Sequence, residues 1–112
     1  MPSEAFDPED IVITDFEVGR DLLLVITGGV RHIGAASIAY PDTGGVSSGT
    51  SAVPGHKEHT ISERIARQAA EALGRTVTVV MGIHYDNLTK EQIFRVVETV
   101  DRKVDQFLRN KK

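Results

Sequence analysis

The chain has 112 residues, 40% of them hydrophobic and 26% charged, which suits one domain with one real core. It has no cysteine, which excludes disulfides, thiolate metal sites and cysteine nucleophiles. A net charge of −3 and an aromatic content of only 5% argue against a general nucleic-acid binder or a base-stacking platform. Residues 1–9 are acidic, contain Pro2 and Pro8 and show no apolar period, so they read as a flexible lead-in to a single domain over 10–112. That lead-in has no apolar signal-peptide core, and no stretch approaches the ~20 residues of a membrane span, so a cytoplasmic location is expected.

Ile11 to Val18 is rich in β-branched and aromatic residues and predicts a strand. After the turn at Gly19-Arg20-Asp21, the apolar run Leu22 to Thr27 predicts a buried strand and a hairpin with the first. Gly28-Gly29 breaks the run, and His32 to Tyr40 resumes as a third strand whose small residues leave room for a helix or a ligand. Residues 41–59 are irregular, with Thr50 to Val53 the candidate for a hidden edge strand. Thr60-Ile61-Ser62-Glu63 has the form of a capping box opening a helix, with Ile61, Ile65, Ala69 and Leu73 on one face and Gly74 as its C-terminal cap. Arg75 to His84 predicts a strand. Thr89-Lys90-Glu91-Gln92 is a second capping box, followed by a helical stripe of Ile93, Val96, Val97, Val100, Val104, Phe107 and Leu108. The expected fold is α+β: a largely antiparallel sheet of four to six strands with two amphipathic helices on one face. Such a sheet leaves an apolar face or an edge to hide, so a homodimer is expected.

Few residues carry chemistry on their own. His56 and His59 have metal-like spacing, and with His32 and His84 they allow a small metal-binding protein. They lie in a Gly/Pro loop, however, and the simpler reading is solvated histidines. Gly28-Gly29 and Gly34 form no dinucleotide fingerprint; they make either a tight turn or a backbone cradle for an anion, with Arg31 and His32 beside it. The helix start at Ile61-Ser62-Glu63-Arg64 offers a second anion site, set against the plain alternative of a cap and a surface arginine. His84, after Gly82-Ile83, is either a strand-end residue or a ligand contact. No serine elbow or carboxylate pair suggests catalysis.

In their order, Ile26-Thr27-Gly28-Gly29, His32-Ile33-Gly34, Ile61-Ser62-Glu63-Arg64, Gly82-Ile83-His84 and Leu88 to Ile93 resemble the prenylated-flavin chaperone family, the small D subunits of UbiD-type phenolic-acid decarboxylases such as gallate decarboxylase. The similarity spans roughly residues 20–95. The layout of elements is also similar, more distantly, to small proteasome assembly chaperones, which bears on fold alone. The family resemblance implies a non-enzymatic carrier that binds prenylated FMN and serves a UbiD-type decarboxylase. It carries over Thr27, Gly28, Gly29, His32, Gly34, His59, Ser62, Glu63, Arg64, Gly82 and His84 as cofactor-binding residues, with no catalytic residue and no metal. A flavin phosphate suits glycine amides, a helix start and an arginine, and Tyr40 or Tyr85 could stack on the ring. The competing expectation is a pure interaction subunit with no small ligand. All of this rests on one spatial expectation: the glycine bend, the imidazoles and the start of the first helix meet in one electropositive hollow.

Overall fold

The computed structural model describes residues 7–55 and 58–111. After a single 3-10 turn over Pro8–Asp10, five strands and two helices follow: β1 (Val12–Val18), β2 (Asp21–Gly29), β3 (Ala35–Asp42), β4 (Gly45–Ala52), α1 (Glu58–Leu73), β5 (Val77–His84) and α2 (Lys90–Lys111). The strands form one sheet in the order β1-β2-β5-β3-β4. Every pairing is antiparallel except β2 with β5, which run parallel. The fold is therefore α+β with a mostly antiparallel sheet, as the sequence predicts. The parallel pair arises because β5, reached through α1, inserts between β2 and β3.

Strand period decides which residues face the helices. Leu22, Leu24, Ile26, Val77, Val79, Met81, Ala35 and Ala39 are buried on one face. There they join Ile65, Ala66, Ala69 and Ala70 of α1 and Val96, Val100, Val104 and Leu108 of α2 in one core. The alanines of α1 let the helix lie close to the sheet. Gly74, at φ +64°, closes α1 by donating its N–H to the Ala70 carbonyl at 2.8 Å. At the start of α2, Gln92 N–H donates to Thr89 Oγ1 at 3.1 Å, and Thr89 N–H donates to Gln92 Oε1 at 2.9 Å, which completes the expected capping box.

Three boundaries differ from expectation. The irregular loop contains all of β4, where Val46 is the one β-branched apolar residue in a Gly/Ser/Thr run, so the candidate strand at 50–53 falls short of it. β3 begins at Ala35, because residues 30–34 bend across the end of β5 instead of extending. α1 begins at Glu58, so Thr60 lies inside the helix and the Thr60–Glu63 box is not formed; Glu63 bonds to β4 instead.

Among the described residues, no helix lies over the opposite face of the sheet. It carries Val12, Thr14, Phe16 and Val18 of β1, Leu23, Val25 and Thr27 of β2, Thr78 and Val80 of β5, Ile38 and Tyr40 of β3, and small residues of β4. Phe16, Ile38 and Tyr40 are 49%, 46% and 42% exposed. The charged residues of β1 point the other way: Glu17 pairs with Arg75 and Lys111, and Asp15 pairs with Lys111.

Candidate functional site

The C-terminal ends of the parallel strands β2 and β5 lie side by side, Gly29 opposite His84 and Thr27 opposite Gly82. The bend 30–34 is laid across this end and tied down at both sides. Val30 N–H donates to the His84 carbonyl at 3.0 Å, and Gly34 N–H donates to the Met81 carbonyl at 2.9 Å. The bend fits only because its neighbours lack side chains. A Cβ on Gly82 would stand 1.7 Å from the His32 carbonyl oxygen, and one on Gly29 would stand 2.1 Å from the His84 carbonyl oxygen. These glycines therefore serve close backbone approach.

The bend sets His32 beside His84, with ring centroids 6.1 Å apart and planes at 88°. His32 Nδ1 lies 3.2 Å from the Val30 carbonyl oxygen and donates to it. His84 Nε2 donates to Asp86 Oδ1 at 2.9 Å. That bond holds the His84 ring and leaves Nδ1 as an acceptor when the ring is neutral. Thr27, Gly29, Gly82 and His84 share the strand parity of Val25 and Val80, so the histidine pair stands at one end of the uncovered sheet face. Exposed Arg31, Val30 and Ile33 belong to the same bend. Asp86, which reads as a turn residue in the sequence, is the partner that fixes His84.

Gly28 faces the other way. A Cβ there would meet Ile11 at 3.0 Å and the Tyr85 hydroxyl at 3.1 Å. Burial raises the Tyr85 phenol above its ordinary value, and the carboxylates of Asp10 and Asp7 add to the rise, while a hydrogen bond with the Gly29 amide opposes it. This side of the glycine pair is therefore acidic and filled. Gly34 is buried at the root of the bend, where its carbonyl accepts from Val53 N–H at 2.8 Å.

The expected hollow does not form as one site, because the residues from α1 lie on the helix-covered face. Ser62 is fully buried, its hydroxyl 2.7 Å from that of Ser37 on β3, which in turn lies 2.6 Å from Thr50 Oγ1 on β4. Glu63 accepts from Thr50 Oγ1 at 2.8 Å and from Ser48 Oγ at 2.7 Å, and Arg67 donates to Ser48 Oγ at 2.8 Å. This chain of hydroxyls and a carboxylate fastens α1 to the β3–β4 hairpin. Arg64 donates to Asp101 of α2 at 2.8 Å and so joins the two helices. With α1 opening at Glu58, the amides of residues 62–64 lie beyond its four free N–H groups. His56 and the His59 side chain lie outside the described residues. Among the described residues no group of three or more potential ligands could hold a metal ion, and no helix is long and apolar enough to cross a membrane.

Comparison with known proteins bears on this arrangement. Residues 6–112 match the sequence model of the prenylated flavin chaperone LpdD-like domain. The chain belongs to this family. It is also 35% identical over 89 residues to protein LpdD of Lactiplantibacillus plantarum, a match covering 75% of this chain and 64% of that protein. The chain thus spans somewhat under two thirds of the length of that relative. Within this member of the family, Thr27, Gly29, His32, Gly82 and His84 come together at one end of the open sheet face, whereas Ser62, Glu63 and Arg64 belong to the packing of α1.

Proposed function

We propose that this chaperone is a non-enzymatic carrier, a cytoplasmic homodimer that binds prenylated FMN and delivers it to a UbiD-type decarboxylase. The observation that carries this reading is the convergence of Thr27, Gly29, His32, Gly82 and His84 at the carboxyl ends of β2 and β5. In open α/β sheets, ligands bind outside the carboxyl ends of the parallel strands, and this mostly antiparallel sheet has one such pair of ends. Here β5 lies parallel to β2 and antiparallel to β3. The donor set suits a flavin nucleotide. The Nδ1 of His84, whose Nε2 is held by Asp86, can accept a hydrogen bond from a ring N–H, the His32 ring packs beside it, and the guanidinium of Arg31 can take a phosphate in bidentate fashion. Val25, Val80 and Thr27 offer a flat apolar floor for the fused ring. A carrier needs no acid/base pair, because it holds its cargo and releases it unchanged.

The test is to purify the protein after co-expression with a flavin prenyltransferase and to record its absorption and mass spectra. The wild type should retain a flavin species and activate an apo-decarboxylase. His84→Ala and His32→Ala should lose at least tenfold in retained flavin. Arg64→Ala should retain it, because that guanidinium is engaged with Asp101. A wild type with no flavin and no effect on the decarboxylase overturns the reading, as does a double histidine variant that binds normally.

A further inference from the structure

We infer that the cofactor site is composite: a second copy of this chain, packed on the open sheet face, supplies the other wall over His32 and His84. This rests on the carrier reading and deepens it. Among the described residues, the histidine end of one copy is open to solvent. His84 and Asp86 have side chains 49% and 55% exposed, and the strand face beside them carries the exposed side chains of Phe16, Ile38 and Tyr40. Small-molecule sites bury roughly 70–90% of their ligand, and a plane can cover only one side of a ring. A second wall is required.

The second copy is indicated by three observations. The first is pattern. The run Leu22 to Thr27 in β2 and the segment Val77 to Met81 in β5 are apolar on both strand faces, or carry only threonine. That is the composition of strands covered on both sides, yet the helices cover one. The second is charge. Between Asp21 and Asp42 at one end and His84 at the other, the strands carry no charged side chain on the open face, while the charges of β1 turn toward Lys111 and Arg75. The third is area. Five strands about 4.8 Å apart and seven to nine residues long cover roughly 600 Å² in projection. Side-chain relief brings this near the ~800 Å² per partner of a stable interface. Two copies of a face of this kind pack as a sandwich about 10 Å apart, and the histidine end of each face is continuous with that seam.

The test uses Ile38→Glu, a change in the middle of the open face on β3, away from the histidines. Light scattering should show a dimer for the wild type and a monomer for the variant, with unchanged far-UV circular dichroism. The monomeric variant should bind prenylated FMN at least tenfold more weakly although His32 and His84 are intact. A second measurement needs no variant: on dilution of the wild type through its dimer dissociation, bound flavin should fall together with the dimer. A monomeric wild type, an Ile38→Glu variant that stays dimeric, or a monomer that binds flavin as well as the dimer would each overturn the inference. In the last case the carrier reading stands. If the wild type binds no flavin at all, the carrier reading itself has failed.

Discussion

Replacing Gly82 with alanine tests how the site is built. The new Cβ would lie 1.7 Å from the His32 carbonyl oxygen and 2.5 Å from its carbon. A carbon–oxygen contact relaxes at about 3.3 Å, so the bend 30–34 has to lift by about 1.5 Å. Both neighbours are backbone, and no side chain can swing aside to absorb the change. A lift of that size breaks the two hydrogen bonds that tie the bend down, Val30 to His84 at 3.0 Å and Gly34 to Met81 at 2.9 Å. Each contributes about 1 kcal/mol, and the buried Gly34 amide left without an acceptor adds a similar amount, for a total of about 2–4 kcal/mol. In a domain of this size that lowers the thermal midpoint by about 8–16 °C. The assay is thermal unfolding followed by circular dichroism, with Gly49→Ala as the control. A Cβ on Gly49 meets nothing within 4 Å in its own chain, so that variant, compared with the wild type below the dimer dissociation concentration, should melt at or slightly above it. Gly82→Ala should also lose flavin at temperatures where it remains folded, because His32 moves with the bend. A Gly82→Ala protein that melts within about 2 °C of the wild type would refute the claim that glycine is needed there for the bend to lie down.

Two further outcomes follow from the charges and hydroxyls on the helix-covered face. Glu17 is held down to about 2 by its hydrogen bonds with Arg75 and Lys111, against an ordinary 4.5. A depressed carboxyl stabilises the folded state above its unfolded value, so this contribution is full above about pH 4.5 and fades as the pH falls toward 2. Urea midpoints measured across that window should therefore fall less steeply for Glu17→Gln than for the wild type; parallel curves would count against the pairing. Glu63→Ala removes the acceptor for Ser48 and Thr50 and should cost about 1–3 kcal/mol in urea unfolding, with flavin retention at low temperature unchanged because α1 lies on the other side of the sheet.

The elements were legible where local rules decide them. The Thr89–Gln92 box forms as its spacing predicts, Gly74 caps α1, and the apolar face of α1 and that of α2 from Val96 onward are the buried ones, whereas Ile93, the first residue of the expected stripe, is 50% exposed in the opening turn of α2. The rules failed where a partner distant in sequence took over. Thr60 to Glu63 has the letters of a capping box, but Ser48 and Thr50 of β4 claim the Glu63 carboxylate, and the helix starts earlier. β4 itself was hidden because its inward side is Val46, Ser48 and Thr50, a half-polar pattern that makes sense only against a serine and a glutamate on α1. The insertion of β5 between β2 and β3 leaves no trace in the period of any one strand, yet it creates the parallel pair whose ends carry the histidines.

The same reasoning explains why half of the expected site came together and half did not. Gly29, His32, Gly82 and His84 are coupled through the backbone: the glycines exist so that one segment can lie on another, and the histidines are carried by those segments. Their proximity is a consequence of strand pairing. Ser62, Glu63 and Arg64 follow one another in sequence, but helix geometry sends them to the sheet, the β4 edge and α2 in turn. A sequence motif in a helix is thus divided among its neighbours, while glycines and histidines from separate segments meet at a strand end. In this fold, Thr27, Gly29, His32, Gly82 and His84 meet at the open end of the sheet, and Ser62, Glu63 and Arg64, which dock α1, lie on its far side.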